Sequence, residues 1–227
     1  MLSSWGIEFE AIDTEATPEA MQDLVAFGIP RAPAVIVGEK AVHGWNPQGV
    51  AELVGVDYRE ADKLTCEQLA ERLNTILVAT QRAMRQIPEA HLGFKWPGRD
   101  RTILQLGYHI FRIALTYRDT REQGMLQEYW FGENPPGDLC TGAHVAAFGE
   151  QARAQMAEWL QGEGVFEGMC ETYYGPQSAP ELFERTVWHT AQHLRQIYVM
   201  LETVGVTPEA PLTEADYQGL PLPASIW

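Results

Sequence analysis

The amino-acid sequence predicts a mainly α protein: a four-helix bundle preceded by a short, partial α/β segment. From about residue 65 onward, apolar residues recur at spacings of three and four over four long stretches. Before about residue 56 they come in short runs broken by Gly and Pro, the pattern of small strands and turns. The chain has 227 residues, 45% hydrophobic and 10% aromatic, enough to fill a core.

In the first segment, Ile7 to Ile12 alternates apolar and polar side chains, as a half-buried strand does. Thr17 reads as the N-cap of a helix, Pro18 suits its first position, and Gly28 ends it. Ala34-Val35-Ile36-Val37 reads as a strand, Gly38-Glu39-Lys40 as its turn, and Ala41-Val42-His43 as the returning partner. Pro47 opens a last short helix that closes at Gly55. The expected division is 1–56 for this segment, 57–64 for a linker and 65–227 for the bundle with its tail.

The first bundle helix is expected over Cys66 to Arg85, with Leu69, Leu73, Ile76, Leu77, Thr80 and Met84 on one stripe and Pro88 as the stop. The second runs from Asp100, read as its N-cap between the surface charges Arg99 and Arg101, to about Arg121. Its stripe is Ile103, Leu106, Ile110, Ile113 and Tyr117. The third covers about Ala143 to Leu160 with Val145, Phe148, Ala152, Met156 and Leu160 inward, and the fourth about Pro180 to Val204 with Phe183, Val187, Leu194, Ile197, Leu201 and Val204 inward. Four amphipathic helices bury their stripes most economically as one bundle. The tail from Pro208 carries too many prolines to be helical throughout, but Leu220, Leu222, Ile226 and Trp227 are apolar enough to pack back on the bundle.

Composition narrows the function. There are 31 acidic and 16 basic residues, a formal net charge of -15, with no Lys/Arg cluster, so nucleic acid is not an expected partner. No run of about 18 apolar residues occurs, and the N-terminus has no secretory pattern, so a cytoplasmic protein with no membrane partner is expected. Cys66, Cys140 and Cys170 are odd in number and far apart, which is no disulfide framework and fits a reducing compartment; Cys140 and Cys170, without a basic neighbour to lower the thiol pKa, are expected to be packed or exposed.

The chemistry-bearing pattern is histidine. His189 and His193 stand four apart on the fourth helix, so both rings leave one face a turn apart, on the stripe of Leu182, Ile197, Met200 and Val204. His109 lies beside Leu106 and Ile113 on the inward face of the second helix. These three read either as hydrogen-bonded core residues or as ligands of one metal ion in the bundle core. His43, His91 and His144, in a hairpin, a loop and a helix start, carry no assigned role. Gln192, Arg195 and Gln196, and Arg112 one turn after His109, read either as polar support for such a site or as surface and inter-helix hydrogen-bonding residues. Tyr129-Trp130-Phe131-Gly132 reads as a loop anchored by its aromatics or as a lid, and Glu171, Tyr173 and Tyr174 could line a pocket.

Two resemblances extend this. Trp188-His189-Thr190-Ala191-Gln192-His193-Leu194-Arg195-Gln196, Leu106-Gly107-Tyr108-His109-Ile110 and the tail Gly219-Leu220-Pro221-Leu222-Pro223 are similar to the DinB/YfiT-like superfamily of metal-binding four-helix bundles. That resemblance implies a divalent metal held by His109, His189 and His193. Gly28 to Gly38 and His43-Gly44-Trp45-Asn46-Pro47 resemble the C-terminal portion of a glutaredoxin, a thioredoxin-like fold, with Pro33 as the cis-proline. The C-x-x-C of that family is absent, so disulfide exchange is not expected. The segment reads either as the product of a start placed too far downstream or as a remnant kept as scaffold.

The resemblances together imply a metal-dependent enzyme acting with a low-molecular-weight thiol, of S-transferase or lyase type. Zn, Ni or Fe would be the ion, since imidazole suits several transition metals. Pro33, Arg112 and Arg195 are the candidate thiol-binding residues, the arginines through a carboxylate. The alternative is a non-catalytic, stress-related metal-binding or interaction protein with a degenerate glutaredoxin-like segment. A homodimer is expected in either case.

Overall fold

A computed structural model of the chain describes residues 2, 5–12, 14, 17–29, 32–44, 46–57, 63–223 and 226. It divides into two compact units, Met1–Lys63 and Leu64–Trp227. Pro30, Arg31 and Trp45 of the glutaredoxin-like motifs, residues 58–62 of the expected linker and Trp227 lie outside the described residues.

The first unit holds α1 (Pro18–Ala26), β1 (Ala34–Val37), β2 (Lys40–His43) and α2 (Pro47–Val54). β1 and β2 form an antiparallel hairpin pairing Ala34 with His43 and Val37 with Lys40, and the chain reverses at Gly38, whose φ is 60°. The Ala32–Pro33 peptide is cis. Asn46 caps α2 by accepting from the Gly49 N–H at 2.9 Å, and Gly55 closes it in the left-handed conformation. Thr17 precedes α1 as expected, but its side chain makes no capping bond. Residues 7–12 are not a strand. A strand persists only where its backbone finds a ladder, and among the described residues this unit's sheet consists of β1 and β2 alone, with no ladder to residues 7–12. Residues 8–12 are therefore solvent-exposed, Phe9 and Ile12 among them.

The second unit is mainly helical. Its four long helices are α3 (Cys66–Arg85), α4 (Ile103–Gln123), α5 (Gly142–Trp159) and α6 (Ala179–Thr203). Thr65 with Gln68, Thr102 with Gln105 and Ser178 with Glu181 form reciprocal capping boxes on α3, α4 and α6. Asp100 is thus not the cap of α4. Thr102 holds that place because its hydroxyl accepts the Gln105 N–H at 3.2 Å, while Gln105 Oε1 accepts the Thr102 N–H at 2.8 Å. Leu69, Leu73, Ile76, Leu77 and Met84 of α3, Ile103, Leu106, Ile110, Ile113 and Tyr117 of α4, and Phe183, Val187, Leu194, Ile197 and Leu201 of α6 are all buried. Phe148, Leu160 and Val204 are only half-buried at the edge of their stripes.

α3 and α4 each pack broadly on both α5 and α6, so the ring of the bundle runs α3, α5, α4, α6. Between α4 and α6 a small sheet of β3 (Met125–Leu126), β4 (Met169–Thr172) and β5 (Gln177–Ser178) joins the loops, with β3–β4 parallel and β4–β5 antiparallel. Strands this short carry too little periodicity to be read from sequence. The tail is pinned by side chains of α3 and α6. Arg82 donates to the carbonyls of Glu209 and Ala210, and Gln86 Oε1 accepts the Glu209 N–H at 2.8 Å. A short α7 (Glu214–Tyr217) then brings Leu220 into the core.

The packing leaves little slack between α4 and α5. A Cβ on Gly149 would lie 2.2 Å from Phe111 Cζ. Gly149→Ala is expected to destabilise the bundle by about 1–3 kcal/mol through overpacking, less the ~1 kcal/mol that alanine gains in helix propensity. A urea midpoint at or above that of the wild type would show that Phe111 has room to move.

Candidate metal centre

α4 carries His109 on the face that also buries Leu106, Ile110 and Ile113, so packing the stripe carries the imidazole inward, where it is 2% exposed. His189 and His193 leave α6 one turn apart and are half-buried. The ring centroids lie 5.0 Å (His109–His193), 5.8 Å (His109–His189) and 4.7 Å (His189–His193) apart. One ring nitrogen from each residue lies within 4.8 Å of the others, a set that could hold a metal ion.

The protonation states follow from the hydrogen bonds. Gln196 Nε2 donates to the Ile226 carbonyl at 2.8 Å, which turns Gln196 Oε1 towards His193 Nδ1, 2.7 Å away. An amide oxygen only accepts, so His193 Nδ1 carries the proton and, in the neutral ring, Nε2 bears the lone pair. That Nε2 lies 3.0 Å from His189 Nε2. Two ring nitrogens this close share either one proton or one cation. His109 Nδ1 is buried with no hydrogen-bond partner among the described residues. A buried nitrogen left so is costly, and ligation is one way to satisfy it. The donor set is therefore suited to a divalent transition metal.

Electrostatics keep the rings neutral, as ligation requires. Burial, then the charge of His193 and Arg101, holds His109 well below the ordinary imidazole range. Burial does the same at His189, reinforced by His193, Arg185, His109 and Arg101. Burial pushes His193 down to about 4; the bond to Gln196 opposes this, and Arg101 and Arg99 add to it.

Aromatic and basic side chains surround the rings. Phe131, from the 3-10 turn Glu128–Gly132, lies 5.8 Å from His189 and 6.4 Å from His109 between ring centroids. Trp188 lies 6.0 Å from His189. In the aromatic loop Trp130 is the buried anchor, Tyr129 faces solvent and Phe131 lines the site. Tyr173 meets Phe131 at 6.2 Å, whereas Glu171 is exposed.

The polar candidates separate. Gln192 and Gln196 both donate to the Ile226 carbonyl, at 2.7 and 2.8 Å, and so tie the tail to the histidine helix. Arg195 donates to Gln192 Oε1 and the Pro223 carbonyl, both at 2.8 Å. Arg112 is held by Glu133 and by Asp119, the latter at 2.7 Å, and lies over Trp130. Both guanidinium groups thus serve the protein's own carbonyls and carboxylates. Pro33 belongs to the first unit, where its carbonyl accepts the Gly44 N–H at 2.8 Å.

The basic groups whose charge reaches the rings are others. Arg101, expected at the surface, is half-buried because it donates to the Phe131 carbonyl. Arg185 is buried, one turn before His189 on the same face. A signal existed for Arg185, since the i, i+4 rule that pairs His189 with His193 extends back to it; none existed for Arg101. Cys170 and Cys140 are placed as expected, one packed and one exposed, each beside a basic side chain. Cys170 is buried with Arg121 Nη1 at 3.5 Å, and Cys140 is exposed with His144 Nδ1 at 3.7 Å. His91 ends a 3-10 turn and is not in an irregular loop.

No protein-family model and no curated protein matches the chain, so the centre is read from its own geometry. Replacing Gln196 by Leu frees the His193 tautomer and should weaken zinc binding about 10–100-fold without unfolding the bundle. Competition with a chromophoric chelator measures this, and an unchanged affinity would remove Gln196 from the centre. Free histidine titrates near 6.5, so below that pH the unfolded chain binds protons that the buried rings refuse. Stability of the metal-free protein is then full above about pH 6.5 and falls as pH drops towards about 4. His193→Gln should flatten that fall; an identical pH profile of the urea midpoint would contradict the burial argument.

Proposed function

We propose that the larger unit is a divalent-metal centre, with Zn, Ni or Fe held by His109, His189 and His193, and that it acts with a low-molecular-weight thiol in transfer or lyase chemistry. The convergence of three ring nitrogens within 4.8 Å carries the reading. Three neutral imidazoles fill fewer positions than such an ion offers, the pattern of a catalytic site. A metal so bound supplies an open coordination position and a charge that lowers the pKa of a thiol or water. The thiol, the transfer reaction and a dimeric state rest on the DinB/YfiT-like resemblance of the His109 and His189–His193 segments.

The chain's own residues have defined parts in this. Gln196 presents the His193 Nε2 lone pair, and the Ile226 carbonyl fixes Gln196. Phe131 and Trp188 cover ring faces and keep water from them. His189 and His193 are half-buried, which leaves a small molecule an approach from solvent.

Elemental analysis of tag-free protein beside His189→Ala tests the centre. About one equivalent of a transition metal in the first and none in the second is expected, with circular dichroism melting of both to show that the variant folds. A full equivalent in the variant would sink the ligand assignment. For the thiol, an absorption change on adding 2-mercaptoethanol to cobalt(II)-substituted protein is expected, and its absence would leave the metal without thiol chemistry.

A further inference from the structure

We infer that the tail is a strap linked to the metal centre: docked on α6 through Pro223 and Ile226, it selects the His193 tautomer that can ligate, and the bound ion in turn holds the tail down. The link is a chain of hydrogen bonds along α6. Arg195 donates to the Pro223 carbonyl and to Gln192 Oε1, both at 2.8 Å. Gln192 Nε2 donates to the Ile226 carbonyl at 2.7 Å, and Gln196 Nε2 donates to the same oxygen at 2.8 Å. Gln196 Oε1 then lies 2.7 Å from His193 Nδ1.

The tail gives this chain of bonds its direction. A glutamine amide can turn over, so Gln196 by itself accepts from a protonated His193 Nδ1 as readily as it donates to a bare one. The first arrangement leaves the ring's lone pair on Nε2, 3.0 Å from His189 Nε2; the second leaves it on Nδ1, facing Gln196. Only the first lets His193 share an ion with His189 through the two nitrogens that face each other. A guanidinium only donates and a backbone carbonyl only accepts, so Arg195 and Ile226 have no such freedom. Arg195 takes Gln192 Oε1 and leaves that amide's NH2 for Ile226. The Ile226 carbonyl takes the Gln196 NH2 and leaves its oxygen for His193 Nδ1. The ring's charge is the same in both arrangements, and only the position of its proton differs.

The tail is also placed to come away. Gln192 and Gln196 are each 9% exposed and Leu220 is buried in the core, whereas Leu222, Pro223 and Ile226 are only half-buried. A segment held at the rim by polar bonds opens at lower free energy than the helices beneath it. By linkage, the factor by which docking raises metal affinity is the factor by which the metal favours docking. The strap rests on the metal reading for the ion; the choice of tautomer does not.

Nitrogen-15 spectra of the histidine rings, and zinc competition with a chromophoric chelator, test this on the full chain and on one stopped after Leu222. In the metal-free full chain His193 is expected with its proton on Nδ1. In the stopped chain, and to a smaller extent in Arg195→Met, which cuts the bond to Pro223, it is expected as a mixture of both tautomers. Zinc should bind the stopped chain about 10–100-fold more weakly, and adding Gln196→Leu to it should weaken binding no further, since both act through one bond. Zinc should also slow hydrogen exchange over residues 220–226 of the full chain. An unchanged tautomer in the stopped chain, or losses that multiply when Gln196→Leu is added, would overturn the strap. If the stopped chain does not melt cooperatively, Arg195→Met decides, and a wild-type tautomer with wild-type zinc affinity in that variant overturns it. A protein whose tautomer follows the tail but which takes up no metal keeps the tautomer choice and loses the metal reading. One that binds zinc equally well with and without the tail loses the strap and keeps the metal.

Discussion

The seam between α4 and α6 is the constraint on which the larger unit depends. Along it Tyr117 meets Phe183 at 4.7 Å between rings, and about two turns or more further along each helix the stripes carry His109, His189 and His193. The helices approach because Ile110, Ile113, Val187, Leu194 and Ile197 lose their water, each contributing on the order of 1.5–3 kcal/mol. The imidazoles are carried along. They do not draw the helices together; their burial is a cost that the apolar contacts and a few well-aimed hydrogen bonds offset.

Those bonds come from an unexpected quarter. The tail reaches α6 at Ile226, whose single carbonyl accepts from both Gln192 and Gln196. Gln196 in turn fixes the proton on His193. The tail is also held, near Glu209, by Arg82 of α3 and by Gln86 just after it, so the tail joins the first helix of the bundle to the tautomer of a ring on the last. An irregular segment is normally where a protein tolerates variation; here its backbone is part of the centre.

Charge is distributed against the overall balance. The chain is strongly acidic, yet Arg101 and Arg185 are drawn to the histidine pocket by carbonyl, hydroxyl and ring contacts with Phe131, Tyr173 and Tyr174. Arg112, by contrast, sits on the same helix as His109 and is neutralised locally by Asp119 and Glu133. Helical proximity to a site thus does not decide whether a cation serves it.

Periodicity alone made the four bundle helices legible, because a stripe of apolar residues three and four apart can be buried only as a helix face. It made the inward direction of His109, His189 and His193 legible for the same reason, each sharing a stripe with residues that must be buried. The strand over 7–12 failed because alternation describes a strand's faces and says nothing of a backbone partner. Asp100 failed as a cap because α4 starts two residues later, where Thr102 and Gln105 form a reciprocal capping box. The convergence of three rings on one point, the tail carbonyl behind His193, and the approach of Arg101 rather than Arg112 or Arg195 were decided by tertiary structure alone. Each depends on distances between segments 30 to 120 residues apart in the chain, roughly, and local pattern carries no such distance.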